Sequence, residues 1–356
     1  MPRSLRSGTI SIARWGVAFG FEEEADVRQS SGARANPGDL KVMRGSVSGI
    51  VAVMLTPFSD EGEVDYASLE RLIEWYLANG VDALFAVCQS SEMQYLSLKE
   101  RVSIARFVVR QAQGRAPVVA SGHVSDALQG QIEELRAMAD TGADGLVLVT
   151  NRLDPTNSGT AAFRSSLASL LEALPSDLPL GLYECPAPYR RLLSDEEFRA
   201  CLGTGRFTVM KDVSCDLATV KRRLAMAAGS DFALINANAA IAAPAMRAGS
   251  RGFCGVSTNI HPDLYAWLYR SGDSALAREL ASFLVTAALS EAFGYPALAK
   301  ICHQRLGTLT SFRCRVIDFD VRERFWALDA IVDAVMAGSE SYRAKIAARS
   351  KPKVNP

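Results

Sequence analysis

From residue 49 onward the chain alternates short aliphatic or β-branched runs with longer stretches whose apolar positions recur every three to four residues. The short runs are Gly49–Pro57, Ala83–Cys88, Pro117–Gly122, Gly145–Thr150, Leu180–Cys185, Phe207–Asp212, Ala233–Asn236 and Gly252–Ser257. Helices are expected between them, marked for example by Leu69, Leu72, Ile73, Tyr76 and Leu77, with Gly80 and Gly142 where helix C-caps belong. This is the signature of a parallel βαβ architecture.

Eight strand–helix units over about 225 residues predict an α/β fold, a (β/α)8 TIM barrel. An open doubly wound sheet would carry a glycine-rich phosphate loop after its first strand, and none follows here. Strand signals stop near residue 274, and the rest reads as helices such as 275–293 and 322–336. The predicted organisation is therefore an accessory or disordered segment over 1–46, a catalytic barrel over 47–273 and a C-terminal helical subdomain over 274–350. The first segment holds the acidic run Glu22–Glu24 and no sustained apolar period. Its apolar stretch is too short and too interrupted for a secretory signal. Met43, just before the first strand, is the expected natural start of translation.

Composition narrows the partners. The 39 basic and 39 acidic residues balance, so no overall field would draw the protein onto nucleic acid or an anionic membrane. No run approaches the length of a membrane span. The seven cysteines form no Cys-x-x-Cys pair and read as reduced thiols of a cytoplasmic protein. His123, His261 and His303 are too dispersed to suggest a metal site. A small-molecule substrate, with neither metal nor cofactor, is the expectation.

In such a barrel the chemistry lies at the C-terminal ends of the strands. The sixth strand delivers Lys211 at the end of a segment suited to burial. Desolvation disfavours the ammonium, leaving a neutral amine able to attack a carbonyl and form an imine. On the strand alone, a lysine paired with Asp212 or reaching out to the rim stands as the alternative. The fifth strand places the Tyr183 phenol beside it, where it could move protons. The second strand ends in Gln89-Ser90-Ser91, hydroxyls and amides able to hold a carboxylate, although serine is also an ordinary helix cap. Asn236 ends the seventh strand, where it suits either a turn or a ligand.

Together these segments resemble the dihydrodipicolinate synthase and N-acetylneuraminate lyase family of class I aldolases. Val53-Met54-Leu55-Thr56-Pro57-Phe58 is similar to its first strand, and Cys88-Gln89-Ser90-Ser91-Glu92 with Leu96-Ser97 and Glu100-Arg101 to its second-strand signature. Tyr183 with Pro186, then Lys211-Asp212 28 residues after the tyrosine, and Gly252–Ser257 with Asn259 complete the match.

The resemblance implies Lys211 as the imine-forming lysine, Tyr183 as the proton relay, Ser90 and Ser91 as the carboxylate turn, and a homotetramer or homodimer. The departures fall where the second substrate would sit. Gln89 replaces a threonine, Pro188 stands where the synthases carry an arginine, and Asn151–Asp154 lacks their tyrosine. The expected activity is a Schiff-base lyase or aldolase on pyruvate or a related 2-keto acid, with an unidentified aldehyde or sugar-acid partner, and not true dihydrodipicolinate synthesis. A 2-keto sugar-acid dehydratase and a catalytically silent ligand-binding barrel are the alternatives.

Overall fold

The computed structural model describes residues 47–350. The expectations for residues 1–46, including a start at Met43, lie outside the described residues. Eight parallel strands close into a barrel in chain order: β1 (Gly49–Val53), β2 (Ala83–Ala86), β3 (Val118–Ala120), β4 (Gly145–Val149), β5 (Leu180–Tyr183), β6 (Phe207–Asp212), β7 (Ala233–Asn236) and β8 (Gly252–Phe253). Apart from Thr208, every residue of these strands is buried, since side chains point either into the barrel or under the helices. β8 returns to β1 through the pairs Gly49↔Gly252 and Ile50↔Phe253. Gly252 is required at this seam, because a Cβ there would stand 1.8 Å from Gly49 O.

Helices α1 (Tyr66–Ala78), α2 (Leu98–Ala112), α3 (Leu128–Ala139), α4 (Thr160–Ala173), α5 (Asp195–Gly203), α6 (Leu217–Met226), α7 (Ala242–Arg247) and α8 (Pro262–Arg270) form the outer ring. Their starts are set by side chains that satisfy free backbone N–H groups. Asp65 caps α1, Ser97 and Ser194 form capping boxes with Glu100 and Glu197, and Asp216 caps α6. Gly80 and Gly142, just beyond α1 and α3, have φ of +76° and +84°, as a left-handed helix exit requires.

The strands are shorter than their apolar runs. The run from Ala83 to Cys88 is strand only to Ala86, and that from Gly252 to Ser257 only to Phe253, because the C-terminal ends peel away into tight turns. The C-terminal helices also differ from the pattern. The stretch 275–293 is a helix only over α9 (Ala275–Ala288), followed by a 3-10 turn over Leu289–Ala292. Helix α10 (Ala297–Arg305) falls within the stretch expected to be helical; seven of its nine residues are buried, so it presents no polar stripe. The stretch 322–336 breaks between α11 (Val321–Arg324) and α12 (Leu328–Ser350). These helices belong to the same compact unit as the barrel. Among the described residues, no helix is long and apolar enough to cross a membrane.

Candidate active site

Tyr183 and Lys211 face each other in register on β5 and β6. Lys211 Nζ lies 4.3 Å from the centroid of the Tyr183 ring and 5.9 Å from that of Phe85 on β2, contacts typical of an ammonium over aromatic faces. Tyr183 and Phe85 pack edge to face at 5.8 Å. The lysine is 8% exposed and has no ion pair or hydrogen bond among the described residues.

Asp212 is not its partner. Asp212 Oδ2 is bound by Arg223 Nη1 at 2.5 Å, and its Oδ1 accepts from Ser214 N and Oγ. Arg223, 1% exposed on α6, also donates to Glu184 Oε1 at 2.6 Å and to Leu193 O. Glu184 in turn accepts from the backbone N–H groups of Leu193 and Val213. Burial raises the Glu184 pKa and the Asp212 charge adds to it, with Arg223 opposing both. This buried triad ties the ends of β5 and β6 together behind the site, leaving Lys211 unclaimed.

The Tyr183 hydroxyl donates to Gln89 Oε1 at 3.3 Å, and the Cys185 thiol donates to the same oxygen at 3.2 Å. An amide oxygen accepts a proton-bearing group but cannot pass a proton onward as a hydroxyl can. Gln89 Oε1 is therefore an acceptor shared by the phenol and the thiol. Burial holds the Tyr183 pKa well above that of a free phenol, reinforced by the thiols of Cys185 and Cys88. Burial also pushes Cys185 up to about 11 and Cys254 up to about 12, despite Lys211 nearby. Cys88, Cys185 and Cys254, all buried, thus form weakly polar walls around the lysine–tyrosine pair.

The turn after β2 divides its two serines. Ser91 Oγ donates to Met54 O at 2.6 Å and accepts from Cys88 N at 3.0 Å, so it binds the turn to β1. The Ser90 hydroxyl meets the Tyr295 hydroxyl, which also accepts from Asn259 Nδ2 at 2.9 Å. Val87 and Glu92 flank the turn at φ +50° and +59°, left-handed values that cost a non-glycine residue of order 1 kcal/mol or more. Contacts of Glu92 offset this strain: its carboxylate binds Lys300 Nζ at 2.6 Å and accepts from Arg315 N and Val316 N. Asn236 closes its own turn, donating to Asn238 O and accepting from Asn238 N, so its side chain is already engaged.

After β4, Asn151 donates to Cys185 O, Ala187 O and Tyr189 O, and so clamps the loop that follows β5. The arginines of this region are committed. Arg190 donates to Val213 O and Ser214 O, Arg191 is buried between Asp154 and Glu197, and Arg152 pairs with Asp126. Elsewhere, His123, His261 and His303 are buried in three separate settings, bonded to Gln131, Ser339 and Asn259 O. Among the described residues, no group of three His, Cys, Asp or Glu side chains is arranged to hold a metal ion.

Sequence reasoning missed Arg223, Glu184, Phe85, Tyr295 and Lys300. Arg223 had a signal, since it shares a helical face with Val220 and Ala227, seven residues apart, and so points inward. Lys300 and Tyr295 had none, because their partners are distant in sequence.

The class of protein to which this closed eight-stranded barrel, with Lys211 beside Tyr183, belongs is given by comparison with known proteins. A sequence profile described as the Dihydrodipicolinate synthetase family matches residues 46–316. The chain belongs to this family and is an enzyme of the class I aldolase type, a lyase. It is 31% identical to the 4-hydroxy-tetrahydrodipicolinate synthase of Shewanella putrefaciens over 232 residues, 65% of this chain and 76% of that one. Among solved structures it is similar to CdNal of Clostridium difficile, determined in complex with mannosamine (TM-score 0.73, 16% identity, 83% of this chain and 100% of that one). It is also similar to YagE of Escherichia coli K12, a family member determined in complex with pyruvate (TM-score 0.72, 20% identity, 83% and 99%).

Proposed function

We propose that Lys211 forms an imine with pyruvate or a related 2-keto acid, and that the enzyme makes or breaks the carbon–carbon bond next to it without being a true dihydrodipicolinate synthase. The observation that carries this reading is the unclaimed Lys211 amine beside the Tyr183 ring, with Asp212 held by Arg223. The amine attacks the keto carbon to give a carbinolamine, which loses water to become the imine. Loss of a proton from the adjacent carbon gives an enamine, whose electron pair attacks the carbonyl carbon of the aldehyde. Water then hydrolyses the new imine and releases product and free Lys211; cleavage is the same sequence reversed.

Tyr183 is the group within reach to carry protons among the carbinolamine oxygen, the adjacent carbon and water. The Ser90 hydroxyl and the turn around it suit the keto-acid carboxylate, while Ser91, Gln89 and Asn236 shape the turns on either side. A family member captured with pyruvate supports the choice of keto acid.

Commitment of Arg152, Arg190 and Arg191 to other groups, with Pro188 where the synthases carry arginine, supports a partner without its own carboxylate. A screen of aldehydes for condensation with pyruvate, and of sugar acids for pyruvate release, tests this. Activity confined to aspartate semialdehyde would return the protein to the synthases, and loss of water without bond cleavage would make it a dehydratase. The reading also carries a homo-oligomer, dimer or tetramer, which sedimentation would detect.

A further inference from the structure

Between the segment after β1 and the loop that joins α10 to α11 lies a cavity of about 530 Å³, within the range that holds a small organic group. Phe312, Ile317, Phe319 and Val321 give it apolar walls, and the exposed side chains of Asp60 and Asp318 line it as well. The walls are fixed from behind. Arg313 donates to Asp60 O at 2.5 Å, Arg315 donates to Gly62 O and Glu100, and the backbone N–H groups of Arg315 and Val316 donate to Glu92. Walls already fixed lose little freedom when a guest enters.

Beside the cavity the chain sends out an indole. Trp326, in the short link between α11 and α12, is 91% exposed, the most exposed large apolar side chain among the described residues. The adjoining Phe325 packs on Phe293 and Phe319, with ring centroids 5.8 and 6.3 Å away, and Phe319 is itself a wall of the cavity. A protruding tryptophan and a preformed apolar hollow therefore share one face, which is the mark of an interaction surface. Charge is divided in the same way. Arg324, exposed two residues before Trp326, lies over the Phe319 ring at 5.5 Å and has no ion pair among the described residues. The carboxylates of Asp60 and Asp318 are likewise without an ion pair among the described residues.

We propose that this face docks a second copy of the chain, the Trp326 indole of each copy entering the cavity of the other. The occupant follows from the opposites gathered on one face. A two-fold interface is isologous, so a single patch must carry both knob and hole, and charges of both signs. This patch carries Trp326 with Arg324, and the phenyl-walled cavity with Asp60 and Asp318. A two-fold axis between them sets each indole against the phenyl walls of the other copy and each Arg324 against its Asp318. An unrelated partner would need only one half of the set. A tryptophan seated in a fixed apolar pocket is the kind of anchor on which interfaces concentrate their binding energy. The proposal does not depend on the chemistry at Lys211.

The test is sedimentation of the full chain over a wide concentration range, for the wild type, Trp326→Ser, Arg324→Glu, Asp318→Arg and the double charge exchange. Trp326→Ser should weaken the association that buries this face about thirtyfold or more, as loss of a central anchor does. Arg324→Glu and Asp318→Arg should each weaken it less, and together should restore part of the loss. Urea midpoints should stay at the wild-type value in Trp326→Ser, which separates lost docking from lost folding. The fluorescence difference between the wild type and Trp326→Phe should resist acrylamide quenching at high concentration and yield to it on dilution. A wild type that sediments as a monomer throughout, or assembly unaltered by Trp326→Ser, would overturn the proposal. So would a double exchange weaker than either single one, or an indole shielded within the monomer by another part of the chain.

Discussion

Lys211 is distinguished less by what it touches than by what has been kept from it. Aromatic faces at 4.3 and 5.9 Å hold the side chain along the barrel, and the neighbouring carboxylate is occupied by Arg223. Tyr183 contributes the one phenol in that contact, and its hydroxyl rests on Gln89, which accepts a proton-bearing group but cannot relay it. Tyr183→Phe should therefore leave imine formation measurable and lower turnover by about a hundredfold or more, the scale of losing a proton-transfer group. Unchanged turnover in a steady-state assay would take Tyr183 out of the mechanism. The positions of both residues at the ends of β5 and β6 were legible in the sequence, but the strand alone left Lys211 open between an imine-forming lysine and one paired with Asp212; the order and spacing of the family-like motifs singled the pair out. The division of labour between Ser90 and Ser91 was not legible, since adjacent serines look alike until the partners Met54 O and Tyr295 are placed beside them.

The strands and their order followed from the hydrophobic pattern, whereas the points at which they end did not. Cys88 and Cys254 continue apolar runs, yet the backbone leaves the sheet before each of them. Apolar content reports burial, and the turns at a barrel mouth are buried too. What fixes the ends of β5 and β6 is the triad of Arg223, Glu184 and Asp212.

Replacing Arg223 with Met would strand two buried carboxylates and should cost about 3–5 kcal/mol in urea unfolding. It should also slow imine formation by loosening the strand that carries Lys211. A variant with wild-type stability would show that the triad does not hold the sheet. Lys300→Met should be similarly costly, about 3–5 kcal/mol by the same measurement, because Glu92 would lose its buried cation. Preserved unfolding midpoints would contradict it.

Across the whole molecule, three histidines couple stability to pH. Burial lowers the pKa of His123, His261 and His303 to about 4, whereas in the unfolded chain they titrate near 6.5. Between those values the unfolded chain binds more protons. Their contribution is thus full above about pH 6.5 and is lost as pH falls towards 4, at up to roughly 1.4 kcal/mol per pH unit for each histidine. Urea midpoints should drop between pH 7 and pH 5, and drop less in a His123→Asn variant. Flat midpoints over that range would show that these groups do not set acid stability. Glu291, raised to about 7, works in the opposite sense and softens the trend.

The central claim, that Lys211 forms an imine with a 2-keto acid, is tested most directly by trapping. The protein is incubated with pyruvate, reduced with sodium borohydride, digested and mapped by peptide mass. The account predicts one reduced pyruvate adduct, on the peptide containing Lys211, that is absent from Lys211→Ala. No adduct with any 2-keto acid, or an adduct that survives in Lys211→Ala, would contradict it.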